Sequence, residues 1–412
     1  MMRRLANLAL ASASVLFVLC TAEAGLRIVT PPRPVADDVS FSQHHEILGW
    51  EKVPGVAGQR VTDEYVIREE INARGLRGPE RPYEKAAGTR RVLALGDSFV
   101  EAYQVDEADL FTTLLEERLR AEAGLPPVEV INAGTTGYST DQELLFFRHE
   151  GVRYQPDLTL LFFFLNDIWF NAATEIEIAD EPEPARKPAF ARGEDGALEL
   201  LGVPVPPRAE IPPPRPATGL EAVKEGLREN SQLYNFATDR IKNSTALYSL
   251  AVRLGLARRP QFGALSSGDE ALPVPDVYRV WQRALLPEVE RAWQITEAVL
   301  VALRDEAAQA GSAFAVFYVP AIVEVDDALW ADTRRKYGLE AGAWSPAAPR
   351  ERLHEICGRH GIPLLDPTQR FRAEAEAGRL PYFLTDRHWN ASGHRVVSEV
   401  LAAAVERWLA DG

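Results

Sequence analysis

Five short apolar runs, rich in β-branched and aromatic residues, punctuate the chain. They cover residues 92–95, 128–131, 158–164, 314–319 and 362–365. A continuous apolar run suits a strand that is covered on both faces, because neither side of such a strand meets water. The pattern therefore predicts an α/β protein in which helices wrap a parallel sheet of five strands.

Apolar residues at helical spacing lie between or beyond most of these runs. We predict helices around Leu110–Leu119, from Thr140 onward, over about residues 280–310, and over about residues 391–410. The second of these helices follows the pattern Thr140-x-x-Glu143, which is typical of a capping box. Residues 91–412 are thereby predicted to form the main domain.

The N-terminal residues have the order of features that an export signal requires. Arg3 and Arg4 precede an uncharged apolar stretch, and the small residues Ala22 and Ala24 follow it. The length fits both a cleaved signal peptide and a single retained membrane anchor, so residues 1–25 are predicted to be one or the other. An N-terminal core helix is the less favoured alternative. The protein is therefore predicted to be exported, to the periplasm or cell envelope or as a secreted protein.

Two further segments depart from the sheet pattern. Residues 26–90 are irregular and partly Pro-rich, which predicts a stalk and a lead-in to the main domain. Between about residues 171 and 271 the apolar runs lapse. The first half of this segment is rich in Glu, Asp and Pro and predicts an extended loop, whereas residues 220–256 have a helical pattern. We interpret the segment as a large insertion after the third strand of the sheet.

Composition excludes several functional classes. The 412 residues carry a formal net charge of -15, which disfavours a nucleic-acid partner because such a partner requires a basic face. The two cysteines, Cys20 and Cys357, cannot build a disulfide framework or a cysteine zinc site, and the histidine spacings fit no common zinc pattern. We expect no metal and no cofactor.

Residues that could take part in catalysis follow several of the predicted strands. Ser98 ends the tripeptide Gly96-Asp97-Ser98 after the first run, Gly134 follows the second run, and Asn166 follows the third. Asp386 and His388 lie near the C-terminus. Each has an ordinary structural explanation, as a turn glycine, a helix cap or a solvated loop residue. Their order along the chain nevertheless matches what a single acyl-transfer site requires.

Together these residues resemble the SGNH hydrolases, the GDSL-type esterase superfamily. Gly96-Asp97-Ser98 is similar to the nucleophile block, Gly134 to the second block, Asn166 with Asp167 to the third, and His388 to the last. The resemblance covers about residues 92–409 without the insertion. It implies a three-layer α/β/α fold with a flavodoxin-like five-stranded parallel sheet. Residues 71–78 are similar to the lead-in of exported members that are found with envelope polysaccharides.

Two positions depart from the family pattern. Phe164 stands where the third block usually has a glycine, two residues before Asn166. The last block is more often Asp-x-x-His, whereas here Thr385 lies three residues before His388 and Asp386 only two. Asp-x-His followed by Trp389 is similar to the arrangement in alginate-type O-acetyltransferases, which are SGNH relatives.

The resemblance assigns a role to each group. Ser98 would be the nucleophile, His388 the general base and then acid, and Asp386 the group that orients the imidazole. The backbone N–H groups of Ser98 and Gly134, with the side-chain amide of Asn166, would form the oxyanion hole. Asp97 and Asp167 would have structural roles.

Three functions remain open from the sequence. The leading hypothesis is an exported serine esterase that hydrolyses acyl esters, with O-acetyl esters of a small molecule or a polysaccharide as the expected substrates. The second is an O-acyltransferase that modifies an exopolysaccharide, in which a sugar hydroxyl replaces water. The third is a catalytically degenerate SGNH domain that binds carbohydrate.

Overall fold

The computed structural model describes residues 2–29, 36–62, 64–122, 124–176, 184–193, 196–207, 219–242 and 274–411. The chain divides into two compact units. The larger unit comprises residues 36–209, 274–335 and 339–412, and the smaller comprises residues 1–35, 210–273 and 336–338. The Pro-rich residues 31–34, residues 177–183, 194–195 and 208–218 of the insertion, and residues 243–271 lie outside the described residues.

The elements are numbered in chain order. The strands are β1 (Ser42–His45), β2 (Gly49–Lys52), β3 (Ala57–Val61), β4 (Val66–Glu70), β5 (Arg90–Gly96), β6 (Val128–Gly134), β7 (Leu158–Phe163), β8 (Glu175–Ile176), β9 (Ala185–Arg186), β10 (Ala189–Arg192), β11 (Leu198–Leu201), β12 (Ala313–Tyr318) and β13 (Leu364–Leu365). The helices are α1 (Met2–Val29), α2 (Ser98–Glu101), α3 (Phe111–Ala121), α4 (Thr140–His149), α5 (Leu165–Phe170), α6 (Leu220–Asn230), α7 (Gln232–Lys242), α8 (Pro287–Gln309), α9 (Ile322–Val325), α10 (Asp327–Tyr337), α11 (Ala348–His360), α12 (Thr368–Glu376) and α13 (Ala391–Asp411).

A five-stranded parallel sheet lies at the centre of the larger unit. Its strand order is β6-β5-β7-β12-β13, so the first strand along the chain lies between the second and third. This is the flavodoxin-like order of doubly wound sheets. The five predicted strands and the fold class are confirmed, and the insertion follows the third strand of the sheet as expected.

Helices bury both faces of this sheet. Every residue of β7 is buried, although alternate side chains point to opposite faces. Helix α3 packs against β6 and α13, and α8 packs against β12 and α4. The long helices therefore occupy the predicted positions. The predicted capping box is wrong, because α4 begins at Thr140 with Ser139 as its N-cap, and both carboxylate oxygens of Glu143 are buried without a hydrogen-bond partner among the described residues.

Short antiparallel hairpins form where the sequence predicted only irregular chain. β1 pairs with β2 and β3 with β4 in the lead-in, while β8 pairs with β9 and β10 with β11 in the insertion. These strands are short and carry many polar residues, so they lack the apolar runs that predict buried strands. Residues 36–90 fold in the same compact unit as the sheet.

The smaller unit includes α1, α6 and α7. The Glu23 carboxylate on α1 accepts hydrogen bonds from the N–H groups of Leu233 (2.9 Å) and Gln232 (3.0 Å), which are otherwise unsatisfied at the start of α7. The described part of the 220–256 segment is helical, as predicted. Across the residues that the structure describes, no helix combines the length and apolarity needed to span a membrane.

Candidate active site

Ser98 lies at the junction between β5 and α2, at the carboxyl edge of the sheet. Asp97 caps the short helix, because its Oδ1 accepts a hydrogen bond from the N–H of Phe99 (2.9 Å). The N–H groups of a first helical turn have no acceptor inside the helix. The N–H of Ser98 belongs to this turn, so it can donate to an oxygen that approaches the Ser98 hydroxyl.

The structure brings the three predicted triad residues together. Ser98 Oγ lies 2.7 Å from His388 Nε2, and His388 Nδ1 lies 2.6 Å from Asp386 Oδ1. Burial alone would raise the pKa of Asp386, but the hydrogen bond and charge of His388 outweigh it and hold the pKa below its usual value. Asp386 is therefore ionised at neutral pH and accepts from the imidazole.

The backbone between Asp386 and His388 explains the short Asp-x-His spacing. Arg387 has a φ of 70°, in the left-handed region that non-glycine residues rarely adopt. The N–H of His388 donates to Asp386 Oδ1 (3.2 Å), and Phe383 N–H donates to the His388 carbonyl (2.9 Å). This tight turn places the carboxylate against the imidazole after one intervening residue, so a second is not needed.

Aromatic rings pack around the histidine. The Phe99 ring lies 4.6 Å from the His388 ring, 4.9 Å from Trp389 and 4.7 Å from Phe164. Phe164 thus packs on Phe99, where relatives usually have a glycine, and its backbone keeps an ordinary extended φ of -111°. Trp389, the residue after the histidine, is buried in the core.

Asn166 lies in the first turn of α5 and contacts the serine block. Its Nδ2 donates to Asp97 Oδ2 (3.0 Å), which leaves the second hydrogen of the amide for another acceptor. Asp167 caps the same helix by accepting from the N–H of Phe164 (3.0 Å). Burial raises the pKa of Asp97 and of Asp167 despite these hydrogen bonds. Both acids are buried and hydrogen-bonded to the start of a helix.

Gly134 differs from its expected role in two respects. Its N–H already donates to Asn132 Oδ1 (3.0 Å), so it can donate to an oxyanion only if it shares this hydrogen or if Asn132 turns away. A Cβ on Gly134 would lie 2.2 Å from the backbone nitrogen of Glu101. The glycine therefore allows α2 to pack closely on β6, which the sequence analysis did not foresee.

A buried ion pair contacts the backbone at Gly134. Lys52 Nζ on β2 lies 3.1 Å from Glu101 Oε2 and also donates to the carbonyl of Gly134. Glu101 in turn accepts from the N–H of Thr136. Burial lowers the pKa of Lys52, although the charge of Glu101 opposes that effect. Nothing in the local sequence of β2 signals this role, because the partners lie on distant elements.

The sequence analysis singled out residues 71–78. Arg77 of this stretch contacts the chain that follows Ser98. The buried Arg77 guanidinium donates to the carbonyls of Glu101 (2.9 Å), Ala102 and Val105. Ala102 has a left-handed φ of 55°, so these hydrogen bonds hold the chain where α2 ends. The stretch therefore fixes the loop that follows Ser98.

A cleft of about 510 Å³ lies near the triad, although no triad residue lines it. Helix α2, which begins with Ser98, contributes Glu101 to the lining, and the Tyr103 ring in the lining lies 6.5 Å from the His388 ring. Trp50 and Phe41 supply further aromatic surface. In the part of the chain that the structure describes, no cluster of three His, Cys, Asp or Glu side chains could hold a metal ion.

A known protein family matches part of the chain. Residues 278–411 match the family described as ALGX, the SGNH hydrolase-like domain of acetyltransferase AlgX. No curated protein matches the chain.

Several solved structures are distantly similar to the chain. LAE5, an α/β hydrolase enzyme from the metagenome of Lake Arreo in Spain, is 13% identical, with a TM-score of 0.38, over 78% of this chain and 96% of its own. A lipase/acylhydrolase from Enterococcus faecalis is 12% identical, with a TM-score of 0.35, over 77% and 95%. A catalytic mutant of Axe2, an acetylxylan esterase from Geobacillus stearothermophilus, is 12% identical, with a TM-score of 0.36, over 76% and 93%.

The family match covers the C-terminal part of the larger unit, including the loop that carries Asp386 and His388. Ser98 and strands β5, β6 and β7 lie outside the matched residues. Residues 278–411 of this chain are therefore similar to an SGNH hydrolase-like domain.

Proposed function

We propose that the protein is an exported serine esterase that cleaves acyl esters, most simply O-acetyl esters carried by carbohydrate. The observation that supports this proposal most strongly is the continuous hydrogen-bonded chain from Ser98 Oγ through His388 to Asp386. A serine hydroxyl is a weak nucleophile at neutral pH, and an adjacent base that is itself oriented by a carboxylate activates it.

The reaction follows from these groups in two halves. Ser98 Oγ attacks the ester carbonyl while His388 Nε2 accepts the hydroxyl proton, and His388 then returns that proton to the departing alcohol. Water attacks the resulting acyl-enzyme by the same route and releases the carboxylic acid. Asp386 stabilises the imidazolium in both halves without taking the proton itself.

The negative charge on the carbonyl oxygen requires donors near Ser98. We assign this role to the N–H of Ser98 and to the second hydrogen of Asn166 Nδ2. Gly134 becomes a third donor when its N–H is shared between Asn132 and the oxyanion. Such fixed donors stabilise the transition state more than the substrate, because the charge develops only as Ser98 attacks.

Acyl transfer to a sugar hydroxyl is the second candidate, and the cleft near the triad favours it. The cleft offers the aromatic surfaces of Trp50, Phe41 and Tyr103. Its lysine and arginine side chains are paired, Lys52 with Glu101 (3.1 Å), Arg186 with Glu175 (3.1 Å) and Arg60 with Glu69. An uncharged molecule rich in hydroxyl groups suits such a surface, and it would replace water in the second half of the reaction.

One assay separates the functions. The protein without its first 25 residues is incubated with a chromogenic acetyl ester and a panel of neutral and acidic oligosaccharides, and the products are identified by mass spectrometry. Free acetate as the sole product indicates hydrolysis, whereas an acetylated sugar that is absent with Ser98→Ala indicates transfer. Sugar binding without turnover of any ester would support the degenerate binding domain and overturn both enzymatic proposals.

A further inference from the structure

The lead-in contacts the catalytic loop, defined here as residues 383–388. At the tip of the β3–β4 hairpin, the Glu64 carboxylate accepts two hydrogen bonds from this loop. Its Oε1 accepts from the N–H of Thr385 (2.9 Å), and its Oε2 accepts from the N–H of Asp386 (2.8 Å). Glu64 therefore holds the backbone on which the triad carboxylate is mounted.

Tyr65, the next residue of the tip, contacts the triad carboxylate itself. Its hydroxyl donates to Asp386 Oδ2 (3.1 Å), whereas the other carboxylate oxygen, Oδ1, accepts from His388. The Tyr65 ring lies 5.3 Å from the Phe383 ring at the start of the catalytic loop. Burial raises the pKa of Tyr65, so its hydroxyl keeps its proton and stays a donor.

Thr62 is hydrogen-bonded to Glu64 and Tyr65. Thr62 Oγ1 accepts from the N–H groups of Glu64 (3.2 Å) and Tyr65 (3.1 Å), and the N–H of Thr62 donates to the Tyr65 carbonyl (2.9 Å). These bonds connect both residues to the end of β3. The neighbouring residues Glu64 and Tyr65 can thus hold both the backbone and the carboxylate of Asp386.

We propose that Tyr65 and Glu64 are positioning residues that aim the Asp386 carboxylate at His388. The inference rests on the proposed function, because it assigns to the hairpin a role in the same triad. A carboxylate bonded at one oxygen can rotate about its Cβ–Cγ bond. A second hydrogen bond at the opposite oxygen fixes the plane of the carboxylate. The hydrogen bonds from the N–H groups of Thr385 and Asp386 to Glu64 fix the backbone that carries this side chain. The Asp-x-His turn thereby gains an external support from a segment 321 residues away.

Tyr65→Phe removes the hydrogen bond from the Tyr65 hydroxyl to Asp386 Oδ2 and changes the shape of the side chain little. A hydrogen bond to a charged group is worth enough that kcat should fall about tenfold, with KM changed less than kcat. The carboxylate loses a donor and becomes more basic, so it stabilises the imidazolium and the acid limb of the kcat/KM profile should move to higher pH. Tyr83→Phe is the matched control, because it removes a tyrosine hydrogen bond to the carboxylate of Glu150, outside the site.

Glu64→Gln tests the backbone contacts. The amide keeps one acceptor oxygen but turns an NH2 group toward the second backbone N–H, so kcat should again fall several-fold. Glu80→Gln is the matched control, since Glu80 accepts a backbone hydrogen bond from Ala73 within the lead-in. Both controls should keep wild-type turnover and pH profile, and melting temperatures establish that each variant is folded.

A double-mutant cycle with Asp386→Ala decides whether the hairpin acts through that residue. Tyr65→Phe should have no further effect on turnover once Asp386 is absent. Effects that multiply would overturn the inference, as would a wild-type rate and pH profile in folded Tyr65→Phe. If Asp386→Ala alone retained full turnover, the triad proposal itself would fail, which is a separate result.

Discussion

The residue with the most informative geometry is Asp386, because its short spacing to His388 departs from the commoner family pattern. Asp386→Asn would keep the shape of the side chain but could present an N–H to the imidazole and favour the wrong tautomer. We expect turnover to fall by about 10³- to 10⁴-fold. Asp366→Asn is a matched control, because Asp366 also accepts from a histidine, His354 Nε2 (3.0 Å), outside the site. Comparable losses in both variants would contradict the assignment.

Asn166 carries the prediction for the oxyanion hole. Asn166→Ala removes a donor while Asp97 keeps its bond to the N–H of Phe99. We expect kcat to fall roughly 10²-fold with an unchanged melting temperature, the usual effect of losing one oxyanion donor. Steady-state kinetics with an acetyl ester measure it. A loss smaller than about tenfold in a folded variant would mean that the amide does not face the oxyanion.

The site residues could be predicted where the fold determines their position. Parallel strands place their carboxyl ends at one edge of the sheet, so polar residues after the apolar runs could be expected to meet there. Ser98, His388 and Asp386 do meet. The acceptor of the Gly134 N–H was not predictable, because the competing Asn132 side chain becomes visible only when β6 is placed in three dimensions.

At the scale of elements, the packing of α2 on β6 carries a stability prediction. Gly134→Ala would place a Cβ 2.2 Å from the Glu101 nitrogen, which is backbone and cannot move alone. We expect a loss of about 2 kcal/mol or more in the free energy of unfolding, measured with urea. Gly358→Ala is the control, since a methyl group added to that helical glycine would meet nothing within 4 Å beyond its own helix and should stabilise the fold by up to about 1 kcal/mol.

The sequence predicted long elements better than short ones. Runs such as residues 92–95 and 128–131 are apolar or largely so, because both faces of the strand are covered, and the pattern shows directly. The hairpins of the lead-in are only four or five residues per strand. Their stability depends on partners far along the chain, such as the contact between Lys52 and Glu101, and a local pattern cannot reveal it.

Across the whole molecule, buried carboxyl groups make stability depend on pH. Burial raises the pKa of Glu324 to about 7, despite hydrogen bonds from the Tyr318 hydroxyl and the N–H of Ala321. In the unfolded chain this carboxyl ionises near its ordinary value. The folded state therefore binds more protons between the two values, and its stability falls as pH rises through that window.

Glu324→Gln should flatten this dependence. The amide oxygen can still accept from Tyr318 and Ala321, but it does not ionise. We expect the wild type to lose up to about 3 kcal/mol more than the variant between pH 4.5 and 7, measured by urea unfolding across that range. Exposed Glu355→Gln is the control and should leave the slope unchanged. Parallel curves for wild type and Glu324→Gln would contradict the prediction.

Covalent labelling tests the central claim, that Ser98 is a nucleophile activated by His388, most directly. The protein is treated with a fluorophosphonate, and the labelled peptide is located by mass spectrometry in the wild type, in Ser98→Ala and in His388→Ala. We predict a single label on Ser98 in the wild type, none in Ser98→Ala, and labelling slowed by orders of magnitude in folded His388→Ala. Label on another residue, or a folded wild type that does not react, would contradict the account.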